Sequence, residues 1–157
     1  MYNKILVPLD GSRLAECVLE HVKAIAGGCV VREVILFRVC EPLSILADYP
    51  ADMPDKWENH VKDVEEFNHQ QCNIYLHEIE NKLAKSGVSG VKSISCLGDA
   101  ATQITDYAVK NDIDLIIISS HGRSGVSRWP SGSVADKVFH SSSVPVLMVK
   151  PPNCGTI

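Results

Sequence analysis

Five short apolar runs, each passing into a helix-like pattern, constrain this chain more than any other feature. The runs are Lys4 to Leu9, Val34 to Val39, Val91 to Cys96, Leu115 to Ile118 and Val144 to Val149. Most are nearly continuous rather than alternating, which suits strands buried on both faces of a parallel sheet; Val91 to Cys96 alone alternates. Between them the period changes. From Ser12 onward, Leu14, Cys17, Val18, His21, Val22 and Ile25 recur at helical spacing until Gly27-Gly28. Asp55 to Lys85 reads as one long helix, with Trp57, Val61, Val64, Cys72, Tyr75, Ile79 and Leu83 as its apolar stripe. Gly98-Asp99 opens a third helix that Asn111-Asp112 breaks, and Val134 to His140 suits a fourth. The order β-α-β-α-β-α-β-α-β predicts an α/β fold: one doubly wound, five-stranded parallel sheet with right-handed crossovers, in a single domain over residues 1–157.

A sheet of that kind takes its ligands beyond the carboxyl ends of the strands, where the winding reverses. Leu9-Asp10-Gly11, Val39-Cys40 and Ser119 to Gly122 all fall at such ends. The last of these begins a loop, Ser119-Ser120-His121-Gly122-Arg123 through Gly132-Ser133, that runs from a strand into a helix start. Glycines permit close backbone approach, and the first amides of a helix lack internal partners, so the loop suits a phosphate. A long turn capped by Ser133 is the alternative for the loop taken by itself. No Gly-x-x-x-x-Gly-Lys-[Ser/Thr] stretch occurs, and no Gly-x-Gly-x-x-Gly follows the first run, which sets aside two common nucleotide loops.

Composition narrows the partners. A formal charge of −4 and the lack of any Lys/Arg run oppose nucleic acid as the main partner. No segment approaches the length that spans a bilayer, and Ile5-Leu6-Val7 is too short for a signal sequence. The six cysteines (17, 29, 40, 72, 96, 154) form no Cys-x-x-Cys pair. Cys17, Cys40, Cys72 and Cys96 read as small core residues, so neither a disulfide framework nor a zinc site is expected, and a reducing cytoplasm is. His60, His69 and His77 lie on the long helix without the i,i+4 spacing of a metal pair. Residues 41–54, with Pro42, Pro50 and Pro54, read as a loop.

The opening Lys4-Ile5-Leu6-Val7-Pro8-Leu9-Asp10-Gly11-Ser12 and the closing His121-Gly122-Arg123-Ser124-Gly125, Gly132-Ser133-Val134-Ala135 and Val144 to Val149 resemble the universal stress protein family. The resemblance covers essentially the whole chain and implies the Rossmann-like, three-layer fold of the adenine nucleotide alpha hydrolases. Its ATP-binding members carry Gly-x2-Gly-x9-Gly-[Ser/Thr]; here Gly122, Gly132 and Ser133 match, while Ser119 replaces the first glycine. By position, Asp10 resembles the carboxylate that bonds the ribose hydroxyls, with a turn or capping aspartate as its alternative. Pro8, Leu9 and Val39 would border adenine, with Ser12 beside them. Ser119 and Gly122 would bring backbone to ribose and phosphates, and Gly132, Ser133 and Val134 would bond the phosphate chain. His121 and Arg123 lie within sequence reach, Arg123 as a phosphate partner or a solvated loop residue.

The resemblance implies ATP or AMP as ligand, with magnesium as an optional companion, and a regulatory role in stress signalling through an unidentified downstream protein. It also implies a homodimer through the Val144–Val149 edge strand. Two other functions stay open. One is slow ATP hydrolysis or self-phosphorylation, for which no catalytic constellation is visible. The other is a nucleotide-free dimeric interaction protein, favoured only by Ser119.

Overall fold

The fold, taken from a computed structural model, is described for residues 2–40, 54–122 and 133–151, with backbone alone for 54–58 and 60. Five strands form one parallel sheet: β1 (Lys4–Pro8), β2 (Glu33–Cys40), β3 (Val91–Leu97), β4 (Leu115–Ser119) and β5 (Val146–Val149), in the order β3-β2-β1-β4-β5. Four helices cover it: α1 (Val18–Gly28), α2 (Pro54–Lys85), α3 (Ala100–Lys110) and α4 (Ser133–Ser141). The expected α/β sheet is therefore the observed one, and its winding reverses between β1 and β4.

Strand burial explains the runs. In β4 all five residues are buried, and the apolar centres of β1 and β2 are covered on both faces. Ile5, Val7, Val34, Leu36 and Ile117 pack with α1 and α2, through Val18, Val22, Leu76, Ile79 and Leu83. Leu6, Ile35, Phe37, Ile116 and Ile118 face α3 and α4, through Ile104, Ala108, Ala135 and Val138. Full burial of each such side chain stabilises the fold by about 1.5–3 kcal/mol. At the edge, β3 is only half-buried, which is why its apolar residues alternate with Lys92, Ser93 and Ser95.

Several boundaries differ from the sequence expectation. The helix expected from Ser12 starts later: Ser12 Oγ accepts the Ala15 N–H at 3.1 Å, a 3-10 turn covers Ala15–Cys17, and α1 follows. Pro54 belongs to α2 as its first residue, where a missing N–H does no harm. Residues 41–53 lie outside the described residues. The last strand begins at Val146 rather than Val144, because Val144 is held in a turn by Ser142 Oγ.

The cysteine expectation needs a correction. Cys40 and Cys72 are buried as core residues should be, but the two form a disulfide, with Cα atoms 6.5 Å apart. Cys40 closes β2, and Cys72 lies on the face of α2 that packs over it. A separation of 32 residues carries no pairing signal in the sequence. Cys17, Cys29 and Cys96 are free thiols. Among the described residues no helix is long and apolar enough to cross a membrane.

Candidate functional site

A cavity of about 560 Å³ opens at the carboxyl ends of β1, β2 and β4. Its volume falls inside the roughly 300–1,000 Å³ of small-molecule sites. Nine of the residues expected at a ligand line it: Pro8, Leu9, Asp10, Val39, Ser119, His121, Gly122, Ser133 and Val134. Ser12 does not; its hydroxyl caps the 3-10 turn. Arg123 and Gly132 lie outside the described residues.

The floor is apolar. Leu9, Phe37, Val39, Ile104 and Ile118 suit the flat face of a base. The rim is small and polar, supplied by β1 and β4. Asp10 sits where β1 turns into the 3-10 segment, and its Oδ1 accepts the Ser12 N–H at 2.9 Å. That bond makes Asp10 a turn-forming aspartate, one of its two expected roles, without removing it from the cavity wall. Its other oxygen, Oδ2, lies against Gly122. A Cβ built on Gly122 would run into that oxygen, so any larger residue there would push the Asp10 carboxylate aside.

Ser119, which replaces a glycine of the family pattern, is integrated rather than merely tolerated. Its φ is not positive, so no glycine is needed at that position. Its buried hydroxyl lies 2.7 Å from the His121 carbonyl oxygen and 3.1 Å from that of Leu14, and it accepts the Cys17 thiol at 3.5 Å. The end of β4 is thereby tied to the 3-10 turn. His121 is also buried, with Nδ1 2.9 Å from Ser120 Oγ. The α4 N-terminus opens at Ser133 beside it, and helix N-termini attract anions.

Sequence reasoning overlooked one wall. Gly98, Asp99 and Ala100, between β3 and α3, also line the cavity. Asp99 Oδ2 accepts the backbone N–H of Thr102 at 3.0 Å and its hydroxyl at 2.8 Å, which caps α3 and holds the Asp99 carboxyl below the usual carboxylate range. Gly98-Asp99 reads locally as a helix opener. Its position at a strand's carboxyl end was the available signal.

The cavity's carboxylates, Asp10 and Asp99, each accept neighbouring backbone N–H groups. Among the described residues no group of three or more His, Cys, Asp or Glu side chains is placed to hold a metal. Of the helix histidines, His69 Nε2 lies 2.9 Å from Ser95 Oγ and His77 lies 3.7 Å from Glu80. A second cavity, also about 560 Å³, lies at the amino ends of the strands, among Asn3, Lys4, Arg32, Glu33, Gly90, Lys92, Asp112 and Asp114.

Residues 1–150 match the model of the universal stress protein family. Universal stress protein MJ0577 of Methanocaldococcus jannaschii is 34% identical over 159 residues, 98% of each chain. A solved structure of MJ0577 superposes with a TM-score of 0.80 at 31% identity, covering 98% of this chain and 99% of that one. A universal stress protein in complex with cAMP has a TM-score of 0.69 at 17% identity, covering 95% and 97% of the two chains. An Arabidopsis thaliana family protein with AMP bound has a TM-score of 0.66 at 16% identity, covering 96% and 93%.

Proposed function

This chain belongs to the universal stress protein family, and on that premise we propose that it is a regulatory protein binding ATP or AMP in the carboxyl-end cavity. The observation that carries this reading is the convergence of Asp10, Gly122 and the α4 N-terminus at Ser133 around an apolar floor. Each part suits one part of an adenine nucleotide. Leu9, Phe37 and Val39 take the base, the Asp10 carboxylate accepts from ribose hydroxyls, and the α4 amides with Ser133 Oγ take phosphate. Gly132 and Arg123 belong to the phosphate end by their place in the sequence. The complexes of relatives with AMP and with cAMP support the ligand class. Magnesium enters only as a companion of the ATP phosphates.

Occupancy of the cavity would report nucleotide supply to a downstream protein in stress signalling. The β5 edge, with half-buried Val146, Leu147 and Met148, would pair with its copy in a homodimer. A concentration-independent monomer in light scattering would exclude that pairing. The reading places the protein in the cytoplasm, and the Cys40–Cys72 disulfide is the feature that fits a reducing compartment least.

The test is to denature the purified protein, identify any released nucleotide, and titrate ATP and AMP calorimetrically. Released nucleotide, or binding that Asp10→Ala and Gly132→Val both weaken, supports the proposal. Neither nucleotide nor heat would leave the family's dimeric interaction role as the better account.

A further inference from the structure

One charged side chain of the core stands behind the cavity without lining it. Arg38 lies near the end of β2 on the α2 face and is only 9% exposed. Burying a guanidinium is costly, and an apolar residue of similar volume would fill the same space. Its surroundings say what it does there. Arg38 Cζ sits 4.9 Å from the centre of the Tyr75 ring on α2, a cation–π distance. On its other side is Gly11: a Cβ built there would lie 2.8 Å from Arg38 Nη2 and 3.0 Å from Cζ. Gly11 also has φ +85°, a conformation that favours glycine, and a side chain there would displace the guanidinium. The Tyr75 hydroxyl donates to Glu16 at 3.4 Å, and Lys82 lies 3.6 Å from the same carboxylate. Burial, with the charges of Glu16 and Asp10, pushes the Tyr75 phenol well above its usual range, so the ring stays a neutral platform.

Gly11 is the middle residue of the turn in which Asp10 Oδ1 accepts the Ser12 N–H. A continuous line of contacts therefore runs from Tyr75 through Arg38 and Gly11 to Asp10 and Gly122. Only the last two of these residues line the cavity. We propose that Arg38 is a positioning residue for the ribose end of the nucleotide: wedged between the Tyr75 ring and Gly11, it fixes the Asp10–Ser12 turn so that Asp10 presents its carboxylate to the ribose hydroxyls. A planar guanidinium suits a flat slot between a ring and a backbone in a way a lysine ammonium does not. The inference rests on the nucleotide reading above.

The test compares ATP with 2′,3′-dideoxy-ATP, which lacks both ribose hydroxyls, by calorimetry in the full chain. Wild type should prefer ATP. Arg38→Met should lose about tenfold in ATP affinity with little change for 2′,3′-dideoxy-ATP, so that the preference collapses. Asp10→Ala should collapse it as well, and the double variant should lose no more than Asp10→Ala alone, the mark of residues acting through one another. Arg38→Lys should keep part of the preference, and it carries the test if Arg38→Met does not fold. Equal proportional losses for both nucleotides, additive effects, or an unchanged preference in Arg38→Lys would each overturn the inference. A wild type that binds neither nucleotide overturns the nucleotide reading, and this inference with it; a wild type that discriminates beside variants that discriminate equally overturns this inference alone.

Discussion

The two ends of the sheet hold cavities of equal volume, about 560 Å³ each, with different chemistry. At the amino ends charged groups are engaged by their neighbours: Lys92 pairs with Glu33, Asp114 accepts the backbone N–H groups of Asn3 and Lys4 at 2.7 and 2.8 Å, and Lys4 Nζ donates to the Asn111 carbonyl at 2.9 Å. At the carboxyl ends the floor is apolar and the N-termini of α3 and α4 arrive at the rim. Parallel β-α alternation produces this asymmetry, because every helix that follows a strand begins at the strand's carboxyl end. Volume does not distinguish the two cavities; the direction of the helices does.

The sharpest way to break the contrast is at Gly122. Gly122→Val drives a side chain into Asp10, and ATP affinity should fall about a hundredfold or more by calorimetry. Retained affinity would remove the carboxyl-end cavity from the account. Next is Asp10→Asn, which keeps an oxygen for the Ser12 N–H but removes the charge. The expected loss is about tenfold, the scale of one hydrogen bond to a charged group.

These two residues also show what was legible in the chain. Asp10, Gly122 and Ser133 are found by combining strand ends with a glycine loop, since both signals are local. The central strands are equally legible, because burial on both faces leaves continuous apolar runs. Arg38 is invisible to that method: one charge within an apolar run says nothing about a Tyr75 ring reached 37 positions later. The Cys40–Cys72 disulfide escapes for the same reason, as it depends on which elements the fold brings together, whereas the Gly98–Ala100 wall is marked by its place at a strand's carboxyl end and hidden only by reading locally as a helix opener.

A smaller, pH-dependent effect separates scaffold from site. The Asp99 carboxyl is held below its usual range by bonds from Thr102, first the backbone N–H and then the hydroxyl. Its folded value is thus lower than its unfolded one, so the stabilisation is present above the unfolded value of about 4 and is lost as pH falls through the folded value. Asp99→Ala should lower the denaturation midpoint at pH 7, and the difference from wild type should vanish in strong acid. An equal difference at every pH would refute the capping assignment. The smallest effect belongs to the amino end. Glu33→Gln breaks the pair that half-buried Glu33 makes with exposed Lys92 and should leave ATP affinity unchanged, with only a slight fall in melting temperature.

The most direct measurement is an ATP titration followed by backbone amide shifts in a ¹H–¹⁵N correlation spectrum. The account predicts saturable shifts at Leu9, Asp10, Val39, Ser119 to Gly122 and Ser133 to Ala135, with Lys4, Lys92, Asp112 and Asp114 unmoved. Shifts confined to the amino-end group, or none at either end, would contradict it.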